Sequence, residues 1–276
     1  MPGTVPEPAA PLPRDYSPVA LLVDGDNASP SLIAEILAET SRYGNVELRR
    51  VYGDWASGRF ASWRAIVQDH ALVPVQQFAN VAGKNATDSA LIIDAMDLLH
   101  EGRFRAFCIV SSDSDYTRLA TRMRESGVFV IGVGRAQTPA PFRNACNVFV
   151  STENLSPRAS ARPAPAGPSP AAGGAGTRAN RPSPATGRAA PPPPPPETLD
   201  LLAKAFDSVV RPDGYATLGE LGAAVLRLDP SFDPRSFGRS KLADLLESWG
   251  PWFEVRRPPR GTGGALLVRL KPRRGD

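Results

Sequence analysis

Apolar runs that end abruptly in carboxylates organise the first half of the chain. Residues 19–23 read VALLV and are followed by DGDN, and residues 107–110 read FCIV and are followed by SSDSDY. Short, continuous apolar runs bounded by turn residues are typical of strands buried on both faces of a parallel sheet. Both runs therefore predict central strands with acidic groups at their carboxyl ends.

Segments with apolar residues at helical spacing alternate with further short apolar runs. The predicted strands are 19–23, 46–52, 72–78, 107–110, 128–134 and 147–150, and helices between them begin near Ser29, Arg59, Thr87 and Tyr116. This alternation indicates βαβ units and an α/β fold with a parallel sheet and helices on both faces. The expected strand order is flavodoxin-like, 3-2-1-4-5, which makes the first and fourth strands neighbours at a switch point.

A different pattern occupies the last third of the chain. Three amphipathic segments, LDLLAKAFDSVV, TLGELGAAVLRL and RSFGRSKLADLLESW, precede two predicted strands, WFEVRR and ALLVRLK, which the turn-rich PPRGTGG joins. Three helices followed by a β-ribbon indicate a winged-helix domain. The predicted organisation is a disordered lead at 1–17, an α/β domain at 18–155, a linker at 156–196, a winged helix at 197–272 and a basic tail at 273–276.

The predicted linker stands out by its composition. Residues 156–196 contain 13 prolines and five arginines but no acid, aromatic residue, valine, leucine or isoleucine. Such a segment cannot bury enough apolar surface to form a core, and it is extended where proline dominates.

Charge is distributed unevenly along the chain. The net charge of +4 combines an excess of three acids in residues 1–155, five arginines in the linker and an excess of two cations from residue 197 onward. An acidic domain followed by basic segments fits a polyanionic partner held by the C-terminal part. The alternative, that linker and tail are basic only for solubility, stays open on charge alone.

Composition excludes several classes of protein. Two cysteines provide no disulfide framework and favour a reducing compartment, and two isolated histidines argue against a zinc site. The apolar runs are too short to span a membrane, and the proline-rich first residues do not resemble a signal peptide. We therefore expect a cytoplasmic protein without a membrane partner.

Acidic residues at the predicted strand ends are the candidate chemical groups. The strongest candidates are Asp24, Asp88, Asp113 and Asp115. Carboxylates packed across one crevice need a cation, and Mg²⁺ or Mn²⁺ suits oxygen ligands and can support in-line phosphodiester displacement. The alternatives remain open that Asp24 shapes a turn, that Asp88 complements a helix dipole and that Asp115 caps a helix.

Further polar and cationic residues are candidate phosphate contacts. They are Asn27, Lys84, Arg118 and Arg143 in the first domain and Arg239 and Lys241 in the second, with Arg256, Arg257, Arg260, Arg269, Lys271, Arg273 and Arg274 around the ribbon. The alternative that these cations are only solvated surface charges stays open. The lack of a nearby histidine, cysteine or GxSxG serine argues against nucleophilic catalysis of the protease or esterase type.

Three motifs in the first domain resemble those of the NYN family, also called LabA-like or DUF88 proteins, which belongs with the PIN-like ribonucleases. These motifs are VDGDN, GKNATDSALIIDAMD and SSDSDYTRLATRMRESG, and the resemblance covers about residues 18–152. It implies a metal-dependent ribonuclease with Asp24, Asp88, Asp113 and Asp115 as metal ligands, and Asn27 matches the asparagine of the first motif. Ser112 stands where family members often have glycine, a difference that concerns the loop geometry.

The second domain resembles the LOTUS or OST-HTH module over residues 197–271. The residues that carry this resemblance are YATLGELGAAV, SFGRSKLADLLES and the ribbon from FEV to LLVRL. The resemblance implies an RNA-binding winged helix, and its combination with an NYN domain in one chain supports both interpretations.

Three functions remain to be compared. The first is a Mg²⁺- or Mn²⁺-dependent endoribonuclease whose winged helix binds RNA. The second is a phosphotransferase or phosphatase of the HAD kind, because DGD also follows a first strand there, although Ala28 departs from that motif. The third is a binding protein without turnover that positions RNA, a protein partner or a second copy of the chain through the first domain.

Overall fold

A computed structural model of the chain describes residues 15–78, 86–155, 193–258 and 264–271. The first domain alternates strands and helices. Its strands are β1 (Val19–Asp24), β2 (Val46–Gly53), β3 (Val73–Gln76), β4 (Ala106–Val110), β5 (Phe129–Gly134) and β6 (Val148–Ser151). Its helices are α1 (Ile33–Thr40), α2 (Trp63–Asp69), α3 (Ala86–His100), α4 (Thr117–Glu125) and α5 (Ala140–Ala145). Short 3-10 turns precede α1, α2 and α4 at Pro30–Leu32, Gly58–Ser62 and Ser114–Tyr116.

The six strands form one parallel sheet in the order β3-β2-β1-β4-β5-β6. This arrangement confirms the predicted α/β class and strand order. The strand β1 pairs with β4 from Val19 opposite Ala106 to Val23 opposite Val110. The residues that follow these two strands are therefore brought to the same edge of the sheet, at the point where the strand order reverses.

Each face of the sheet has its own apolar core. Val19, Leu21 and Val23 point into the core beneath α1 and α2, while Ala20 and Leu22 point into the core beneath α3, α4 and α5. Successive side chains of a strand point to opposite faces, so a strand covered on both sides must be apolar throughout. All six residues of β1 are buried, including the terminal Asp24.

The second domain has the predicted winged-helix arrangement. It consists of α6 (Pro196–Asp207), β7 (Ala216–Thr217), α7 (Leu218–Leu228), α8 (Leu242–Ser248), β8 (Phe253–Arg256) and β9 (Leu267–Leu270), with an antiparallel sheet in the order β7-β9-β8. The helices and β9 bury a core that includes Leu221, Leu246 and Trp249. Thr217 and Glu220 form a capping box that begins α7.

Local structure differs from the prediction at three places. The predicted third helix of the winged-helix domain is divided into a 3-10 turn at Pro234–Phe237 and α8, because Gly238 adopts a left-handed conformation with φ 82°. The hydroxyl of Ser29 contacts Ser31 and does not cap the helix. Tyr16, which was expected in the disordered lead, stacks on Phe129 with ring centroids 4.1 Å apart.

Several predicted segments lie outside the described residues. These are 1–14 of the lead, 79–85, 156–192 of the linker, 259–263 with the predicted contact Arg260, and 272–276, which include Arg273 and Arg274 of the basic tail. Among the helices that the described residues form, none has the length and apolar character needed to cross a membrane.

Candidate metal centre and RNA-binding surface

The turn after β1 is built around the buried end of that strand. The amide of Ala28 donates to the carbonyl oxygen of Asp24 at 2.8 Å, and the amide of Gly25 donates to the carbonyl oxygen of Tyr52 at 2.9 Å. A side chain at residue 25 has no room, because a Cβ atom would lie 2.6 Å from the Phe60 ring and 2.7 Å from the Tyr52 carbonyl oxygen. Glycine in the DGDN sequence therefore lets the turn close against β2.

The carboxylate of Asp24 is buried and its two oxygen atoms accept hydrogen bonds from the same end of the sheet. Oδ2 accepts from Asn27 Nδ2 at 2.7 Å and from Ser111 Oγ at 2.9 Å, and Oδ1 accepts from the amide of Asp26 at 3.1 Å. Burial raises the pKa of Asp24 above its ordinary value, and the hydrogen bonds from Asn27 and Ser111 oppose that rise. Asp24 thus joins the turn after β1 to the end of β4.

Three of the four predicted acids form a cluster beside Asp24. Carboxylate oxygen atoms of Asp88, Asp113 and Asp115 all lie within 4.8 Å of one another. Asp88 lies in the first turn of α3, and the other two lie in the segment that follows β4. Three carboxylate oxygen donors at this spacing are the ligand chemistry that Mg²⁺ and Mn²⁺ prefer, so the residues fit such an ion.

The cluster concentrates negative charge, and its members are held in place. Burial, and then the carboxylates of Asp113, Asp115 and Asp26, raise the pKa of Asp88. The hydroxyl of Tyr116 opposes this by donating to Asp88 Oδ1 at 2.7 Å. Burial and the nearby acids raise the pKa of Tyr116, so its hydroxyl keeps its proton and remains a donor.

Asp113 is oriented by its own loop. Its Oδ1 accepts from the amide of Asp115 at 2.9 Å, and its amide donates to Ser111 Oγ at 3.1 Å. Because Ser111 Oγ also donates to Asp24, one serine hydroxyl connects the buried acid to the cluster.

Two other acids have partners of their own. Asp26 accepts from Thr87 Oγ1 at 2.9 Å and pairs with Arg59 at 3.1 Å, which joins the DGDN turn to the start of α3. Asp94, further along α3, pairs with Arg50 and with the hydroxyl of Tyr52 on β2. The second arrangement fastens α3 to the sheet.

The predicted contact residues are dispersed. Asn27 is bound to Asp24, Arg118 is exposed in the first turn of α4, and Arg143 donates to Ser231 Oγ of the winged-helix domain at 3.3 Å. In that domain Arg239 is half-buried and Lys241 is exposed immediately before α8. Lys84 lies outside the described residues.

Sequence reasoning did not assign roles to the hydroxyls of Ser111, Tyr116 and Thr87. Ser111 and Tyr116 flank the acids of the SSDSDY motif, and that proximity was the available signal. The contacts of Thr87 with Asp26 and of Tyr116 with Asp88 join segments far apart in the chain, which periodicity does not reveal.

A cavity of about 380 Å³ opens on the α1 side of the same sheet edge. It is lined by polar residues, among them Asp26, Asn27, Ser112 and Arg135, and by apolar residues such as Leu32. Ser112, in the wall of this cavity, immediately precedes Asp113 of the acidic cluster in the chain.

Arginines of the winged-helix ribbon lie over an aromatic ring. The guanidinium carbon of Arg256 lies 4.5 Å from the centroid of the Tyr215 ring, and that of Arg269 lies 5.8 Å from it. Both arginines are exposed, and Arg256 pairs with Glu254. This arrangement places two guanidinium groups on the ribbon surface, and Glu254 partly compensates their charge.

Family models match both domains of the chain. The family model of the NYN domain matches residues 18–154, and that of the OST-HTH/LOTUS domain matches residues 195–264. The crystal structure of a protein of unknown function from Vibrio parahaemolyticus is 15% identical, with a TM-score of 0.41, and the match covers 48% of this chain and 91% of that chain.

The solution NMR structure of an uncharacterized protein from Nitrosomonas europaea is 29% identical, with a TM-score of 0.26, and the match covers 36% of this chain and 93% of that chain. The search of curated proteins gives no match.

Proposed function

Because the chain carries an NYN domain followed by an OST-HTH/LOTUS domain, we propose that it is a metal-dependent endoribonuclease whose second domain binds the RNA. NYN domains belong to the PIN-like nuclease superfamily, and the OST-HTH/LOTUS domain supports binding of RNA. The observation that carries the proposal is the cluster of Asp88, Asp113 and Asp115 at the switch point of the sheet.

The three clustered acids are the proposed ligands of Mg²⁺ or Mn²⁺. When bound, such an ion supplies activation of a water molecule and stabilisation of charge on the scissile phosphate. The chain's own groups supply the geometry: Tyr116 holds Asp88, the Asp115 amide holds Asp113, and Ser111 joins Asp113 to Asp24. In this proposal Asp24, predicted as a fourth ligand, positions its neighbours through Ser111 and Asn27.

Positive groups outside the cluster are the proposed contacts for the RNA backbone. Arg118 and Arg135 are exposed beside the acidic edge, and Arg256 and Arg269 are exposed on the ribbon. Contacts to phosphates provide affinity without reading the sequence, so the proposed substrate is RNA of no defined sequence.

Hydrolysis of a circular, single-stranded RNA tests the proposal. The wild-type chain is expected to linearise the circle with Mn²⁺ or Mg²⁺ and to stop when the ion is chelated, whereas Asp113→Asn is expected to leave it circular. Asp97→Asn is the matched control, because Asp97 is an exposed aspartate further along α3 and outside the acidic cluster. Linear products from water attack carry no cyclic phosphate, which distinguishes them from those of a contaminating ribonuclease that uses the ribose hydroxyl.

Calorimetry with Mn²⁺ measures binding of the metal ion separately from catalysis. Wild type and Asp97→Asn are expected to bind the ion, and Asp113→Asn is expected to lose most of that binding. RNA binding without linearisation at any metal tested would contradict the proposal and favour a binding protein without turnover. A phosphoaspartate trapped at Asp24 would favour the HAD alternative. The four hydrogen bonds that the Asp24 carboxylate accepts argue against that alternative.

A further inference from the structure

The winged-helix domain contacts the NYN domain through an ion pair that is largely shielded from solvent. Arg235 donates to both carboxylate oxygen atoms of Glu39, at 2.9 and 3.2 Å, and the Glu39 side chain is only 8% exposed. Asp233 holds the same guanidinium from the other side, with Nε to Oδ2 at 2.8 Å. The bidentate geometry fixes the orientation of the planar guanidinium as well as its distance.

Three further hydrogen bonds surround this ion pair. The amide of Phe149 on the edge strand β6 donates to the carbonyl oxygen of Pro230 at 2.8 Å, Arg143 donates to Ser231, and Asn154 Nδ2 donates to Ser236 Oγ at 3.0 Å. An edge strand exposes unpaired backbone groups, and here the second domain satisfies one of them.

Apolar packing crosses the same boundary. Leu226, near the end of α7, packs against the core that lies beneath α1 and α2. These contacts from the second domain thus come from one segment, residues 226–236, which we call the docking segment. It combines a shielded ion pair, a backbone hydrogen bond and an apolar anchor, as a specific interface does.

We propose that the docking segment fixes the two domains as one rigid unit, so that RNA held on the ribbon reaches the acidic cluster at a set distance. The ribbon arginines, Arg256 and Arg269, belong to β8 and β9 and lie outside the docking segment. Docking therefore leaves the cationic ribbon available while fixing its position relative to Asp88 and Asp113. The statement about RNA rests on the proposed ribonuclease function, whereas the statement about docking does not.

Cross-linking in the full chain tests the docking itself. Cysteines in place of Asn154 and Ser236, whose side chains are in hydrogen-bond contact, are expected to be joined within one molecule by a short bismaleimide. The native cysteines, Cys108 and Cys146, are buried and should not react. The rate is the readout, because a tethered but undocked domain would still meet the NYN domain occasionally.

The variants Arg235→Ala and Glu39→Gln are each expected to slow this cross-linking by about ten-fold or more, as expected when a docked contact becomes a tethered encounter. Arg42→Ala is the matched control. Arg42 pairs with the same Glu39 at 2.9 Å, but it is exposed and belongs to the NYN domain, so its loss should leave the rate unchanged. Circular dichroism checks that each variant is folded. Equal rates in wild type, Arg235→Ala and Glu39→Gln would overturn the docking.

Mapping of cleavage positions tests the consequence for RNA. On a single-stranded RNA attached by one end to a cysteine introduced on the ribbon, wild type is expected to cut within a narrow window from the attachment point, and Arg235→Ala is expected to spread the cuts. If Arg235→Ala slows cross-linking but leaves the window of cleavage positions unchanged, the proposed set distance between ribbon and acidic cluster is overturned. If wild type does not cut RNA at all, the ribonuclease proposal fails, and the cross-linking rates still decide the docking.

Discussion

The two domains present opposite charges to a polyanion. At the sheet edge of the NYN domain, Asp88, Asp113 and Asp115 gather within 4.8 Å, and their mutual repulsion contributes to the raised pKa of Asp88. On the winged helix, Arg256 and Arg269 extend over Tyr215 and face solvent. In the proposed function, the ribbon attracts RNA without any cofactor, whereas the cluster repels RNA unless a cation neutralises it.

In the proposed function, this difference assigns separate tasks to the two domains. Affinity for RNA is proposed to come from the cationic ribbon and to depend on salt, while chemistry is proposed to occur at the acidic edge and to depend on the metal. A variant of one region should therefore spare the task of the other, and the predictions below ask whether it does.

The largest expected effect is on turnover. Asp113→Asn should lower the rate of RNA cleavage by more than about 100-fold, because even outer partners of metal ligands contribute about 10–100-fold. RNA binding should be unchanged or tighter, since the substitution removes a negative charge. Rates at saturating RNA and filter-binding affinities measure the two effects. A parallel loss of both would show that the tasks are not separate.

Next in size is the effect of the ribbon on affinity. Together, Arg256→Ala and Arg269→Ala should weaken RNA binding on the order of ten-fold at moderate salt and lower the slope of log K against log salt by about two. Cleavage at saturating RNA should persist. A salt titration of binding checks the slope. A fall in turnover at constant affinity would show that the ribbon takes part in catalysis, which contradicts the separation of tasks.

A third prediction distinguishes the acids of the NYN domain from one another. Asp24→Asn should lower the free energy of unfolding by about 1–2 kcal/mol. The side-chain amide of the introduced asparagine cannot accept all the hydrogen bonds that the carboxylate accepts. Relief of the buried charge offsets part of the loss. Urea unfolding measures the change, and Asp97→Asn is the control. If Asp24→Asn lowers the affinity for Mn²⁺ as much as Asp113→Asn does, Asp24 is a metal ligand.

The smallest effect concerns an acid that stabilises its domain. Hydrogen bonds from Thr217 and Arg211 lower the pKa of Glu220 to about 2. A lowered folded-state pKa stabilises the fold above the ordinary pKa of 4.5, and this contribution is lost as the pH falls toward about 2.

Glu220→Gln should therefore lower the melting temperature by roughly 1–2 °C at neutral pH, a small change because the side chain is exposed and solvent screens it. The difference between the variant and wild type should vanish near pH 2. A difference that grows as the pH falls would contradict the assigned sign.

The fold was largely predictable because its signals are local. Unbroken apolar runs such as that of β1 predicted strands covered on both faces, and the alternation of strands and helices predicted the order that places β1 beside β4. The division of the third winged-helix helix was not predicted. It depends on the left-handed conformation of Gly238, which an otherwise helical pattern did not indicate.

The candidate site was predictable in its location but only partly in its geometry. Chain order alone placed Asp113 and Asp115 beside the end of β1 once the strands were neighbours. It could not tell that Asp24 turns inward to bind Ser111 and Asn27 while the other acids converge on one point. Side-chain direction at a turn is set by the groups packed around it, and Ser111 is 87 residues away along the chain.

By itself, the sequence determined the strands, most of the helices and the sheet edge at which the acids collect, since apolar periodicity is local and the alternation of strands and helices restricts the strand order. The tertiary structure alone decided which three acids meet, which tyrosine holds Asp88 and how Arg235 of the winged helix reaches Glu39 across 196 positions. These contacts depend on desolvation and hydrogen-bond geometry between distant segments, and no local pattern records them.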